Sequence, residues 1–285
     1  MTDITALEPV SANRSFGGTQ TVFSHPSEAC NGTMRLSVYR PQREIDGEMV
    51  PVVVWLSGLT CTEENFTVKA GAQRIANKLG LLVVAPDTSP RGQGFPGEDE
   101  SYDFGSGAGF YLDATRAPWS SAYRMYSYVT QEIPAIIEAR FHGDLARMGI
   151  MGHSMGGHGA LTIHLKNQDL FKSCSAFAPI VAPTQVPWGQ KAFRGYLGDD
   201  EATWQDYDAC ALVRKAPSQA GLLVDQGSDD TFLQEQLRPE LFEAACKDVG
   251  QALNLRMQEG YDHSYFFIAT FMEDHLRHHH AALSA

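Results

Sequence analysis

Met148-Gly149-Ile150-Met151-Gly152-His153-Ser154-Met155-Gly156-Gly157, running on into Ala160-Leu161-Thr162-Ile163-His164-Leu165, is the stretch that decides the fold. A short unbroken apolar run, a Gly-x-Ser-x-Gly turn and apolar residues at helical spacing read as strand, sharp turn and helix. Such a turn holds its serine in a strained backbone conformation with the hydroxyl exposed. The flanking glycines leave room where a side chain would strike a neighbouring strand or helix.

Outward from this turn, further short apolar runs occur at Val52–Leu56, Leu81–Val84, Ser175–Phe177, Gly221–Val224 and Leu253–Met257. Runs without polar alternation suit strands buried on both faces, as in a parallel sheet covered by helices. Helices are expected at about 63–79, 120–141, 156–168, 231–249 and 264–282, where apolar residues recur three and four apart. Thr19–Phe23 and Met34–Tyr39, around the turn-forming Asn31-Gly32, read instead as paired antiparallel strands. The fold class is α/β: an α/β-hydrolase fold with a mostly parallel sheet, flanking helices and an antiparallel N-terminal β entry. With no linker or repeat, residues 1–285 are expected to form one domain. The Gly-, Pro- and Ser-rich segment 87–119 reads as a long surface excursion.

A serine hydroxyl is a poor nucleophile at neutral pH and needs a base, itself oriented by a third group. In this fold the chain order is serine, acid, histidine, with acid and base after late strands. Gly221-Leu-Leu-Val-Asp225-Gln-Gly227-Ser-Asp229-Asp230 supplies the acid, and Gln258-Glu-Gly-Tyr-Asp-His263-Ser the base. Asp230, three residues past the turn at Gly227, is preferred over Asp229, and Asp225 is read as a packing or sheet-edge residue. Asp262 is too close to His263 to reach its far ring nitrogen. His153 is expected to fill the turn and His158 to pack in the helix beyond it. The candidate triad is Ser154, Asp230 and His263. Acyl transfer also needs donors for the oxyanion. The backbone N–H groups of Met155 and of Leu59, in Trp55-Leu-Ser-Gly-Leu-Thr60, are the candidates.

Composition narrows the partners. With 22 Lys+Arg against 34 Asp+Glu the net charge is -12, and no basic stripe exists to displace counterions from a phosphate backbone. A nucleic-acid partner is not expected. The N-terminus lacks the basic start and apolar run of a signal peptide, and no 18-residue apolar window occurs. The expectation is a cytoplasmic chain with no membrane partner. Its five widely spaced cysteines fit free thiols better than disulfides or zinc ligands. Gly105-Ser-Gly107-Ala-Gly109 follows no strand and is not expected to hold a nucleotide. His275, His278, His279 and His280 fall on the terminal helix, where a solvated face is expected rather than a metal site. Neither metal nor cofactor is called for.

Several longer stretches are more specific than the serine turn. Trp55-Leu-Ser-Gly-Leu-Thr-Cys-Thr-Glu-Glu-Asn-Phe66, Gly107-Ala-Gly-Phe-Tyr-Leu-Asp-Ala-Thr115, Tyr123-Arg-Met-Tyr-Ser-Tyr128, Gly152-His-Ser-Met-Gly-Gly-His-Gly159 and Gln258-Glu-Gly-Tyr-Asp-His263-Ser resemble the S-formylglutathione hydrolase (esterase D) family, over residues from about 15 to 280. The resemblance implies hydrolysis of S-formylglutathione to glutathione and formate, the last hydrolytic step of glutathione-dependent formaldehyde removal. A short-chain carboxylesterase or an acyltransferase on the same fold is the alternative. It carries the triad onto Ser154, Asp230 and His263, the oxyanion donors onto Leu59 and Met155, and a thiol-reagent-sensitive cysteine beside the site onto Cys61. The implied partner is a small-molecule thioester, and subunit pairing as a homodimer is common in the family. Trp188, Lys191 and the segment 103–119 are candidate walls for the glutathione part.

Overall fold

Nine strands form one sheet in the order β1-β2-β3-β5-β4-β6-β7-β8-β9, in a computed structural model that describes residues 2–284. The strands are β1 (Glu8–Ser15), β2 (Gly18–Ser27), β3 (Gly32–Arg40), β4 (Val50–Leu56), β5 (Leu82–Pro86), β6 (Gly143–His153), β7 (Phe171–Phe177), β8 (Leu222–Gly227) and β9 (Leu253–Gln258). From β5 to β9 every pairing is parallel, while β1, β2 and β3 pair antiparallel and join through β5. All residues of β4, β5 and β8 are buried, as their unalternated apolar runs require. The turn between β2 and β3 spans residues 28–31, and Asn31 carries the left-handed φ of +45°. Strand β1 was not foreseen: Glu-Pro-Val-Ser-Ala-Asn-Arg-Ser is almost entirely exposed and has no apolar face to read.

Two of the expected helices hold close to their expected bounds, as Met155–Lys166 and Tyr265–Leu283. The expected helix at 63–79 is broken into Glu63–Lys69 and Gln73–Leu79 by Ala70-Gly71-Ala72, where Gly71 turns to φ +68°. The one at 231–249 becomes a π turn, Leu233–Leu237, and a helix, Pro239–Val249. Pro239 has no N–H to continue a ladder and Arg238 is left-handed. Between 120 and 141 a 3-10 turn at Trp119–Ser121 precedes helical structure from Met125 to Arg140, interrupted by a π turn at Tyr128–Glu132. Helices Pro187–Tyr196 and Ala209–Lys215 were not anticipated.

The segment 87–119 is irregular, as expected, but much of it is not a surface excursion. Phe110, Tyr111 and Leu112 are buried. Phe104 stacks on Tyr196, with Trp119 and Tyr123 packed around the same ring. The buried Glu98 carboxylate accepts from the Gln93 and Gly94 amides and the Tyr123 hydroxyl. Aromatic packing and a satisfied carboxylate replace a regular backbone ladder here.

The terminal histidines are likewise not a solvated face. His275 and His279 are buried against β7 and β8, because the sheet presents Ser173, Ser175 and Asp225 to them. Since the Asp225 carboxylate can only accept, His275 donates from Nε2 (3.2 Å). Its Nδ1 then accepts from Ser175 Oγ (2.9 Å). Ser175 Oγ in turn accepts from His279 Nε2 (2.9 Å), and His279 Nδ1 accepts from Ser173 Oγ (2.7 Å). One carboxylate thereby fixes both tautomers and polarises four hydrogen bonds in one direction. Arg256 completes the arrangement with two hydrogen bonds to Asp225, at 2.6 and 2.5 Å. Ser175→Ala leaves a ring nitrogen unpaired on each of two buried histidines, at about 1–3 kcal/mol each. A Tm lower by roughly 3–10 °C is expected in a thermal melt.

Buried neutral histidines also set the acid limit. Burial lowers the pKa of His275 and takes those of His153 and His279 well below the ordinary value, and it depresses His158 and His164 to about 4. Below the unfolded value of about 6.5 the unfolded chain binds protons that the native one refuses, so stability falls as pH falls. This contribution is complete above about pH 6.5. By pH 4 it is reduced by about 3 kcal/mol for each of His158 and His164. Denaturant midpoints are expected to hold between pH 7 and 8 and to drop steadily from pH 6.5 to 4.

Candidate active site

The parallel register brings the strand ends together. Leu56 pairs with Gly152, His153 with Phe177, Phe177 with Asp225, and Asp225 with Arg256. The turns following β4, β6, β8 and β9 therefore meet at one edge of the sheet, where open α/β sheets carry their sites.

Ser154 stands between β6 and the helix Met155–Lys166 at φ +58°, ψ -117°, a strained conformation for a residue with a Cβ. Neighbours hold it there. Its N–H donates to the Phe177 carbonyl (2.9 Å), and its own carbonyl accepts from His158 (2.9 Å) and Ile180 (3.3 Å). A Cβ at Gly152 would lie 2.2 Å from the Gly156 carbonyl oxygen, and one at Gly156 2.0 Å from that of Leu56. The helix can start this close to β4 only because both residues are glycine.

Asp230 is buried, and its carboxylate is fully engaged. Oδ1 accepts from the Phe232 amide (2.9 Å), while Oδ2 accepts from Gln226 Nε2 (3.2 Å) and His263 Nδ1 (2.6 Å). With Nδ1–H donating to the carboxylate, the neutral ring keeps its Nε2 lone pair. His263 and Ser154 line the same cavity, about 310 Å³ in volume, together with Leu59, Cys61, Trp188 and Phe232. The three rejected aspartates point elsewhere. Asp229 is exposed and accepts from the Ser228 hydroxyl, and Asp225 is committed to Arg256 and His275. Asp262 accepts from the Ser264 amide and hydroxyl ahead of the terminal helix.

The turn after β4 borders the cavity from the other side. Thr60 N–H donates to Gly107 O (2.9 Å) and Cys61 N–H to Gly58 O (3.3 Å), with Leu59 immediately before them on the cavity wall. The Met155 amide opens its helix, where backbone donors have no acceptor four residues earlier. Cys61 lies on the cavity wall. Burial pushes its thiol above the ordinary pKa, opposed by Tyr265 and by the Lys69 charge.

Trp188 forms part of the wall. Its indole N–H donates to the Tyr102 hydroxyl (3.1 Å), and its ring packs on Phe232 at 4.8 Å. Lys191, one turn further along the helix, is outside the lining; its ammonium is paired with Asp103 and donates to Ser101 Oγ (2.7 Å). The segment 103–119 contributes no lining residue either, and the irregular region reaches the cavity through Tyr102. His158 is a packing residue, with Nε2 donating to the Phe110 carbonyl (3.0 Å). His153 is buried with its ring 4.3 Å from that of His263. Tyr265, Asn65 and Phe232 line the cavity without having been anticipated. Tyr265 and Phe232 follow His263 and Asp230 by two residues, the one signal that could have found them.

The family model described as "Putative esterase" matches residues 27–278. The S-formylglutathione hydrolase of Mus musculus is 55% identical, over 98% of this chain and 100% of its own length. The chain belongs to the S-formylglutathione hydrolase family. It is also 51% identical to the Arabidopsis thaliana S-formylglutathione hydrolase, over 97% of this chain and 98% of that one. The solved S-formylglutathione hydrolase from Agrobacterium tumefaciens shares 54% identity with a TM-score of 0.94, covering 97% of this chain and 99% of the other. The protein is a serine hydrolase of the α/β-hydrolase fold. Among the described residues no helix is long and apolar enough to cross a membrane, and no three His, Cys, Asp or Glu side chains group as a metal site.

Proposed function

We propose that the enzyme hydrolyses S-formylglutathione to glutathione and formate, with Ser154 as nucleophile, His263 as base and Asp230 as the group that orients the base. The observation that carries this reading is the 2.6 Å contact between His263 Nδ1 and Asp230 Oδ2, in the cavity that also holds the Ser154 turn. His263 Nε2 takes the hydroxyl proton as Ser154 Oγ attacks the formyl carbon, and Asp230 stabilises the imidazolium. The Leu59 and Met155 amides receive the oxyanion. Collapse breaks the carbon–sulfur bond and expels the glutathione sulfur, a good leaving group because a thiol pKa lies near 8.5, and the His263 imidazolium passes it the proton taken from Ser154, which leaves the ring neutral again. Water, deprotonated by His263, then attacks the formyl-serine, and formate departs as Ser154 regains its proton. Every proton is held by a side chain or by water, so no step calls for a metal or organic cofactor.

A formyl group is small, and a cavity of about 310 Å³ walled by Leu59, Trp188 and Phe232 suits a short acyl group better than a long chain. Residues 1–285 would act as one catalytic domain. Five free cysteines fit a glutathione-rich, reducing cytoplasm, where the enzyme would serve formaldehyde removal. The test is product stoichiometry on S-formylglutathione. Formate and free thiol in a 1:1 ratio, unchanged by added alcohols, are expected. Formyl ester formation at the expense of formate would make the enzyme an acyltransferase, and no thiol release would overturn the reading.

A further inference from the structure

Beside the active-site cavity lies a second concavity that the mechanism does not use. Ser264 and Tyr265 line both, and beyond them the second is bounded by Lys69, Phe266 and Ala269. Asn65 on the cavity wall and Lys69 are four residues apart on the helix Glu63–Lys69, so one helical face runs from one concavity to the other. Phe266, on this lining, is 85% exposed, which makes an apolar shelf beside a cationic side chain. Charge distinguishes Lys69 from Lys191. Lys191 is neutralised by Asp103. Lys69 extends over the Tyr265 ring, with its ammonium 5.8 Å from the ring centre, and among the described residues it enters no ion pair. On a chain of net charge -12, an uncompensated ammonium at the edge of the catalytic cavity is a site for an anionic ligand group.

We propose that this shelf is the thiol-side subsite, in which Lys69 receives a carboxylate of the leaving peptide thiol while Phe266 and Ala269 contact its aliphatic part. The assignment rests on the function proposed above. It moves the charged contact from Lys191, the sequence-based candidate, to the concavity beside Tyr265. A carboxylate there adds affinity shared by ground and transition states, so its loss raises KM more than it lowers kcat.

The test uses S-methylglutathione as a competitive inhibitor of aryl acetate hydrolysis, beside S-formylglutathione as substrate. Lys69→Gln is expected to raise both the inhibition constant and the KM for S-formylglutathione about fivefold, the scale of one solvent-exposed ion pair. Lys69→Arg is expected to restore both, and 0.5 M salt to narrow the gap. The diethyl ester of the inhibitor, lacking carboxylates, should not distinguish wild type from Lys69→Gln. Equal inhibition constants in wild type and Lys69→Gln overturn the proposal, as does weakening by Lys191→Gln in its place. Wild-type enzyme that cleaves the aryl ester but not S-formylglutathione is a separate result and overturns the proposed function itself.

Discussion

Ser154→Ala is expected to lower kcat/KM for S-formylglutathione by about a millionfold, with the folded state retained. The magnitude is that of removing the nucleophile from a serine–histidine–aspartate triad, the role proposed for Ser154, where oxyanion donors and substrate binding leave only a small residual rate over water. Retention of fold follows from how the turn is held. Ser154 is fixed through its backbone N–H and C=O, bonded to Phe177, His158 and Ile180, and the removed Oγ takes no part in those contacts. Alanine does keep the Cβ and hence the strain at φ +58°. Circular dichroism and Tm near wild type, with turnover near the uncatalysed rate, are the expected pair of results. Appreciable turnover from the folded variant would assign the nucleophile elsewhere.

Asp230→Asn is expected to lower kcat about ten-thousandfold. An amide in the position of Oδ2 can present N–H to His263 Nδ1, which forces the ring proton onto Nε2 and removes the lone pair that takes the serine proton. The same substitution removes the acceptor that Oδ2 offers Gln226 Nε2, while Oδ1 still accepts from the Phe232 amide, so a modest loss of stability accompanies it. Asp225→Asn provides the contrast. It lies five residues earlier and is equally buried, but its partners are Arg256 and His275. Replacing it weakens a buried ion pair and the polarised histidine chain, so its effect belongs in the Tm rather than in the chemistry. Measuring kcat and Tm on both variants separates the two aspartates. A larger loss of kcat in Asp225→Asn than in Asp230→Asn would reverse their roles.

The parts of this molecule legible in its sequence are those in which a local pattern carries the physics. Val52–Leu56 reads as a buried parallel strand because no polar residue interrupts it, and Gly152 to Gly157 as a sharp turn because the glycines fall where a Cβ would meet carbonyl oxygens of Leu56 and Gly156. Asp230 and His263 are legible because chain order and strand ends restrict the choice to a few residues. What escaped the sequence is set by distant partners. His275 and His279 look like a solvated cluster until β7 supplies Ser173 and Ser175 at alternate positions and β8 supplies Asp225. The polar segment 87–119 looks loose until Glu98 and the ring of Tyr196 are placed inside it. Lys191 looks available until Asp103, 88 residues away, takes its charge. Helix breaks at Gly71 and Pro239 were written in the sequence, but apolar periodicity on both sides of each hid them.

The central claim is that this site is built for the formyl thioester of glutathione rather than for esters in general. The most direct test is kcat/KM of the wild-type enzyme for S-formylglutathione beside that for a small aryl acetate under the same conditions. A preference for the thioester of at least a hundredfold, about 2.7 kcal/mol of additional transition-state stabilisation, is the predicted result. Comparable values for the two substrates would contradict the account and make the enzyme a general short-chain carboxylesterase.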